Sequence, residues 1–226
     1  MDDWWSYTLS DFLMFSPRTY YRMLERYNEA VWPAQLLAVG VGVGLLRLSL
    51  RQTARQGQFI STALAIMWLW VAGAFLWTRY AAINLAATYM AAAFALEALL
   101  FVWLGVARSS LAYRPRRGVQ GKLAIALFLL ALVVYPALAP VSGRPWPQAE
   151  VFGIAPDPTV IGTLGLLLTL PEPRWALLTV PLLWCVLTAA TLWVMRSPEA
   201  PVPLVAGLLV LIAIVWQGRR DATASL

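Results

Sequence analysis

Glu97 is the residue best placed to do chemistry. It stands in the apolar run AAAFALEALLFVW, near the middle of a predicted helix and far from either end of it. A charged side chain at such a depth costs roughly 2.5–3.5 kcal/mol on insertion scales, so it should face the interior of a helix bundle and find a partner there. Two chemistries fit. It is either a proton or cation site, or a neutral carboxylic acid that bonds a neighbouring carbonyl or hydroxyl and fixes helix packing. Along the helix its neighbours are Tyr89 and Ala93 above and Phe101 below, and Tyr89, two turns away, reads as lying on the same face. Asp157 is the third candidate. It lies between Pro156 and Pro158, where a broken helix could aim it at a cavity or where it caps a helix starting at Thr159. Glu97, Tyr89 and Asp157 are thus the candidate substrate- or ion-binding set.

Other chemistry is narrowed by what is missing. The chain holds one cysteine, Cys185, and no histidine. That excludes an internal disulfide, a CxxC pair, a multi-cysteine iron–sulfur site, a bis-histidine haem, an HExxH zinc site and a Ser-His-Asp triad. We therefore expect no catalytic set, no cofactor and no metal. Within its span Cys185 reads as a small core hydrophobe. The chain has twelve tryptophans, but Trp77, Trp103, Trp175, Trp193 and Trp216 fall near predicted span ends, which is an interfacial belt rather than a ligand cage.

The elements that must position these residues are transmembrane helices. Of 226 residues 61% are hydrophobic and 12% charged, where soluble domains run near one quarter charged. The few charges cluster between long apolar runs, as membrane spans do. The fold class expected is all-α: a polytopic bundle of about seven spans, or six plus a re-entrant helix, preceded by an amphipathic interfacial helix. The acidic opening Met1-Asp2-Asp3-Trp4-Trp5 does not read as a cleavable signal peptide. The N-terminal segment, 1–30, carries a helix start at Ser16-Pro17. Its apolar stripe of Tyr20, Leu24, Tyr27 and Val31 should lie at the interface with Trp4, Trp5 and Trp32. The bundle covers 31–217, and 218–226 is a short cytoplasmic tail.

Within the bundle, Gly40 and Gly44 form a GxxxG spacing, and Ala87, Ala91 and Ala95 form a second small-residue face; both allow close helix approach. Pro136 and Pro181 should kink or loosen their spans. The stretch 142–158, SGRPWPQAEVFGIAPDP, is irregular, and the apolar run Thr159 to Leu170 after it has only 12 residues. At ~1.5 Å per residue that run covers about 18 Å, short of a bilayer core. It is a re-entrant half-helix, or a broken span with Val151–Ala155 above the Pro-Asp-Pro interruption.

Charge sets the orientation. Net charge is +6. Arg47, Arg51 and Arg55 follow span one; Arg108, Arg114, Arg116, Arg117 and Lys122 follow span three; Arg79 and Arg144 stand alone in the intervening loops. The positive-inside rule makes the two basic loops cytoplasmic, with the N-terminus outside. Seven spans then leave Arg219 and Arg220 inside. The partner expected is the lipid bilayer, with other membrane subunits or a second copy beside it; the placement of the charges argues against nucleic acid.

Two stretches carry a family resemblance: WWSYTLSDFLMFSPRTYYRMLERYNEAVWPAQ and FGIAPDPTVIGTLGLLLTLPEPRWALLTVPLLW. They resemble a family of bacterial polytopic membrane proteins known only as a domain of unknown function. The resemblance implies fold and location and no activity. It also implies a histidine near the Ser142–Pro147 loop and a cysteine where Asp157 stands. This sequence has neither, so a metal or thiol role of that pair does not carry over.

The functions left are a small permease using an intramembrane carboxylate, or an accessory or assembly subunit of a larger membrane complex, with an enzyme behind both. A polar cavity holding Glu97 and open to one side would favour transport. A dry interior with an exposed apolar face bearing the glycines or alanines would favour a subunit. An enzyme would need two convergent titratable groups in one cleft.

Overall fold

The computed structural model describes residues 15–51, 55–115 and 118–224, the last six of these as backbone. Trp4 and Trp5, Arg116 and Arg117, and the side chains of Arg219 and Arg220 lie outside the described residues.

Every regular element among the described residues is helical. Helix α1 (Pro17–Ala30) begins where the sequence predicts: the Ser16 hydroxyl accepts the Thr19 N–H at 3.2 Å and Pro17 takes the first helical position. Helix α2 (Ala34–Ser49) follows at a bend of 86°. The α1 stripe is not laid on the membrane interface. Tyr20, Leu24 and Tyr27 are buried against the bundle, because protein partners wait for the two phenols there: Tyr20 donates to Glu150 at 3.2 Å and Tyr27 to the Ile154 carbonyl at 2.9 Å.

Helix α3 (Gln56–Trp70) continues as a π-helix through Val71–Trp77, and α4 (Ala87–Leu100) likewise through Phe101–Ala107. Helix α5 (Val119–Leu129) passes through a π-helical Leu130–Val134 into α6 (Tyr135–Val141). That widening sits just ahead of Pro136, which has no N–H to return to the carbonyl one turn back. Pro181, by contrast, leaves α8 (Trp175–Val194) unbroken. Helix α9 is Pro201–Ala224.

Five of these helical stretches are long and apolar enough to cross a membrane, and a sixth is reached if the bent α1–α2 pair forms one span. This is the make-up of an integral membrane protein. By itself α2, with 16 residues, is short, and so is α7 (Pro156–Leu167), with 12.

Helix α7 is the centre of the molecule. All its residues are buried, sheathed mainly by α5, the π-helical turn, α8 and α9. The sequence reading broke the chain at Pro156-Asp157-Pro158, but the structure makes these residues the first turn of α7. The first four N–H groups of a helix have no acceptor within it, so prolines there forfeit nothing. The segment enters beside α1, where Tyr27 holds the Ile154 carbonyl. It leaves beside the basic loop before α5, where the Arg114 N–H donates to the Thr169 carbonyl at 3.1 Å and Gln120 to Leu168 at 3.2 Å. It therefore runs through the bundle from one end to the other. Glycine allows the fit: a Cβ on Gly165 would stand 2.8 Å from the Ala124 carbonyl oxygen and 3.0 Å from the Phe128 nitrogen, so α7 and α5 touch backbone to backbone. The predicted alanine face also turns inward, with Ala87 and Ala91 buried. Gly40 and Gly44 do the opposite and face outward.

Candidate functional site

The start of α7 gathers polar groups from three helices, α6, α7 and α8. Asp157, in the first turn, is 1% exposed. Its Oδ1 accepts the Trp184 indole N–H at 2.7 Å, and its Oδ2 accepts the Tyr135 and Thr188 hydroxyls at 2.8 and 3.0 Å. The carboxylate also sits at the positive end of the α7 dipole. It is no cap for a helix starting at Thr159. The Thr159 hydroxyl itself donates to the Ala155 carbonyl at 2.6 Å and accepts the Gly153 N–H at 2.8 Å, closing a turn in which Gly153 has φ +78°.

A second polar layer covers this one. Glu150, in the loop before α7, is buried; one oxygen takes the Tyr20 phenol and the other has no partner. Burial pushes the Glu150 carboxyl well above the ordinary carboxylate range, the nearby Asp157 adds to this, and Arg144 opposes it. Arg144 pairs with Glu199, which also accepts the Ser197 hydroxyl. Tyr21 donates to Ser197 at 3.0 Å and lies under the Arg144 guanidinium, 4.2 Å from ring centroid to Cζ. Arg144 and Glu199 thus neutralise one another between the 142–155 loop and the α8–α9 turn.

Glu97 is a different environment. It is 0% exposed, and both its carboxyl oxygens lack a hydrogen-bond partner. One turn to either side, Phe94 and Phe101 stand 4.4 and 6.5 Å from Trp68 between ring centroids, and Phe94 meets Trp184 edge-on at 4.9 Å. Beyond these rings the 111–115 loop brings Tyr113 within electrostatic reach. Burial pushes the Tyr113 phenol well up, its 3.1 Å bond with Ser61 opposes this, and Glu97 adds to it. Tyr89 does not join Glu97. It is 81% exposed, because eight residues of α-helix leave two side chains about 80° apart. Glu97 and Asp157 share no hydrogen bond.

A model of a family of unknown function, DUF6064, matches residues 18–225. The chain belongs to that family. No curated protein and no solved structure matches it.

The DUF6064 match takes in the polar hub, Glu97 and nearly all of α1. Within this DUF6064 chain the hub rests on carboxylates, phenols and an indole, and among the described residues no three His, Cys, Asp or Glu gather to hold a metal ion. Cys185 is buried against α9, where a Cβ on Gly207 would lie 3.3 Å from its own Cβ. Sequence reasoning singles out Asp157 and Glu97 and passes over Glu150, Arg144, Glu199, Tyr20 and Tyr135, which the structure places beside Asp157 or in the layer that covers it. Two of these, Arg144 and Glu150, are charges inside a Pro/Gly-rich loop. In a chain this poor in charge, acids and bases in so short a loop were a usable signal.

Proposed function

We propose that this is an accessory or assembly subunit of a larger membrane complex, and that α2 is the helix it offers to its neighbour. The observation that carries this reading is the Gly40/Gly44 face. Nothing lies within 4 Å of a Cβ built on either glycine, and Leu36 and Leu37 on the same helix are 63% and 71% exposed. Within a bilayer, helix association rests on close packing, and an open small-xxx-small pair is the surface on which a second helix packs best. The interior supports the same reading: Glu97 is wholly covered, where a permease would open it to one side.

In this reading the chain sits in the bacterial cytoplasmic membrane with seven crossings, α2 and the 151–170 segment supplying the two that length alone does not assign. The N-terminal segment 1–30 is then outside and the 218–226 tail cytoplasmic. The test is purification in mild detergent, side by side with a Gly40→Ile/Gly44→Ile variant. A membrane protein retained by the wild type and lost from the folded variant is expected. Equal retention by both, or a wild type that purifies alone, would overturn the subunit reading.

A second reading, a small permease, is favoured by one observation: the two unpartnered oxygens of Glu97. A carboxyl that bonds nothing is not helix glue, and intramembrane acids mark proton or cation paths. Here Glu97 would bind the ion, while Asp157 would hold the start of α7 in place and Tyr89 would face lipid. Proton flux in proteoliposomes that is the same for wild type and Glu97→Gln would sink it.

A further inference from the structure

A second site lies at the outer edge of α1. Arg18, Arg22 and Arg26 recur every four residues along the face turned away from the buried tyrosines, and all three are exposed. Arg79, from the turn after the π-helical Val71–Trp77, comes up beside them. The four arginines wall one groove of about 390 Å³. Among the described residues no acidic one lines it, and its floor is apolar, formed by Met23, Ala82 and Ile83.

The guanidiniums are uncommitted. Among the described residues none of the four enters an ion pair. The acids of α1, Glu25 and Glu29, line the groove on the other side of Arg18, Arg22 and Arg26, where Glu25 accepts Gln148 at 3.2 Å and neither acid forms an ion pair with them. The hydroxyls at the groove are also taken: Thr78 donates to the Gly73 carbonyl at 2.7 Å and Thr19 bonds Ser16 at 2.9 Å. What remains is four like charges held together over an apolar floor, which repel one another until an anion is shared among them.

We propose that this groove binds the phosphate headgroup of an anionic phospholipid. Planar guanidiniums match phosphate oxygens in paired bonds. The depth fits a lipid: Trp77, two residues before Arg79, is 62% exposed, as an indole at the headgroup layer would be. The Met23–Ile83 floor would then carry the start of an acyl chain, which a free phosphate lacks.

The test is native mass spectrometry of the detergent-purified protein offered phosphatidylglycerol and phosphatidylcholine in equal amounts. The wild type should retain phosphatidylglycerol preferentially, and Arg22→Gln/Arg79→Gln should lower that preference at least about tenfold. Arg47→Gln/Arg51→Gln, at the other end of α2, should leave it unchanged. If the double variant does not fold, the wild type alone decides: its preference should vanish in high salt and survive an equimolar addition of inorganic phosphate. Equal retention of the two lipids, an unaltered preference in the folded Arg22→Gln/Arg79→Gln protein, or displacement by inorganic phosphate would overturn the proposal, the last by making the groove a site for soluble anions.

Discussion

The Trp184 indole of α8 donates to the Asp157 carboxylate of α7 at 2.7 Å. With Tyr135 from α6 and Thr188 one turn further along α8, this bond pins the start of a helix whose residues are all buried. A helix beginning inside a membrane protein needs such a device. Its leading N–H groups and the irregular backbone before it have no solvent to bond, so the surrounding protein must supply every partner. Tyr27 on Ile154 and Thr159 on Gly153 and Ala155 hold the backbone before it in the same way.

Asp157→Ala should therefore unfold more readily than any surface change. It strands three buried donors at once, and a loss of about 3 kcal/mol or more is expected. Asp157→Asn keeps one acceptor oxygen and should lose less. Thermal unfolding in detergent, followed by intrinsic tryptophan fluorescence, would rank the two.

Glu97 should behave in the opposite way. Replacing an unpartnered buried carboxyl by Leu removes a desolvation cost, so Glu97→Leu should gain about 1–3 kcal/mol. Glu97→Gln buries an amide that is equally alone and should gain little. A clear loss of stability in Glu97→Leu, measured in the same melt, would mean that the carboxyl has a partner after all.

The glycines should separate by position. Gly165→Ala drives a methyl into the backbone of α5 and should cost about 1–3 kcal/mol. Gly40→Ala meets open space and should be neutral or should stabilise the purified protein by up to about 1 kcal/mol. Denaturant titration of the two variants in micelles would read the contrast.

The Glu150 carboxyl should give stability a pH slope. Its native pKa is raised by burial first, so between the ordinary carboxylate value near ~4.3 and the raised one the folded protein holds more protons than the unfolded one. Stability is then full below that window and falls as pH rises through it. Glu150→Gln cannot titrate, so its advantage over wild type should grow with rising pH. A constant difference across a pH series of melts would show that Glu150 titrates alike in both states.

Much of the architecture was readable from residues alone, because a bilayer makes composition decisive. Apolar stretches of span length can satisfy their backbone only as helices, and the Ser16-Pro17 start and the membrane character need nothing distant. Glu97 stood out for the same reason: one acid in a long apolar run has no local explanation. What tertiary structure decided is which way each face turned and which distant groups met. The α1 stripe could rest on lipid or on protein, and only the arrival of Glu150 and Ile154 made it protein. Gly40/Gly44 and Ala87/Ala91 have the same spacing, yet one pair faces out and the other in, since spacing fixes a face but not its neighbour. Asp157 was visible by type, but Tyr135, Trp184 and Thr188 lie 22 to 31 residues away. No periodicity joins residues on separate helices; the packing around α7 does.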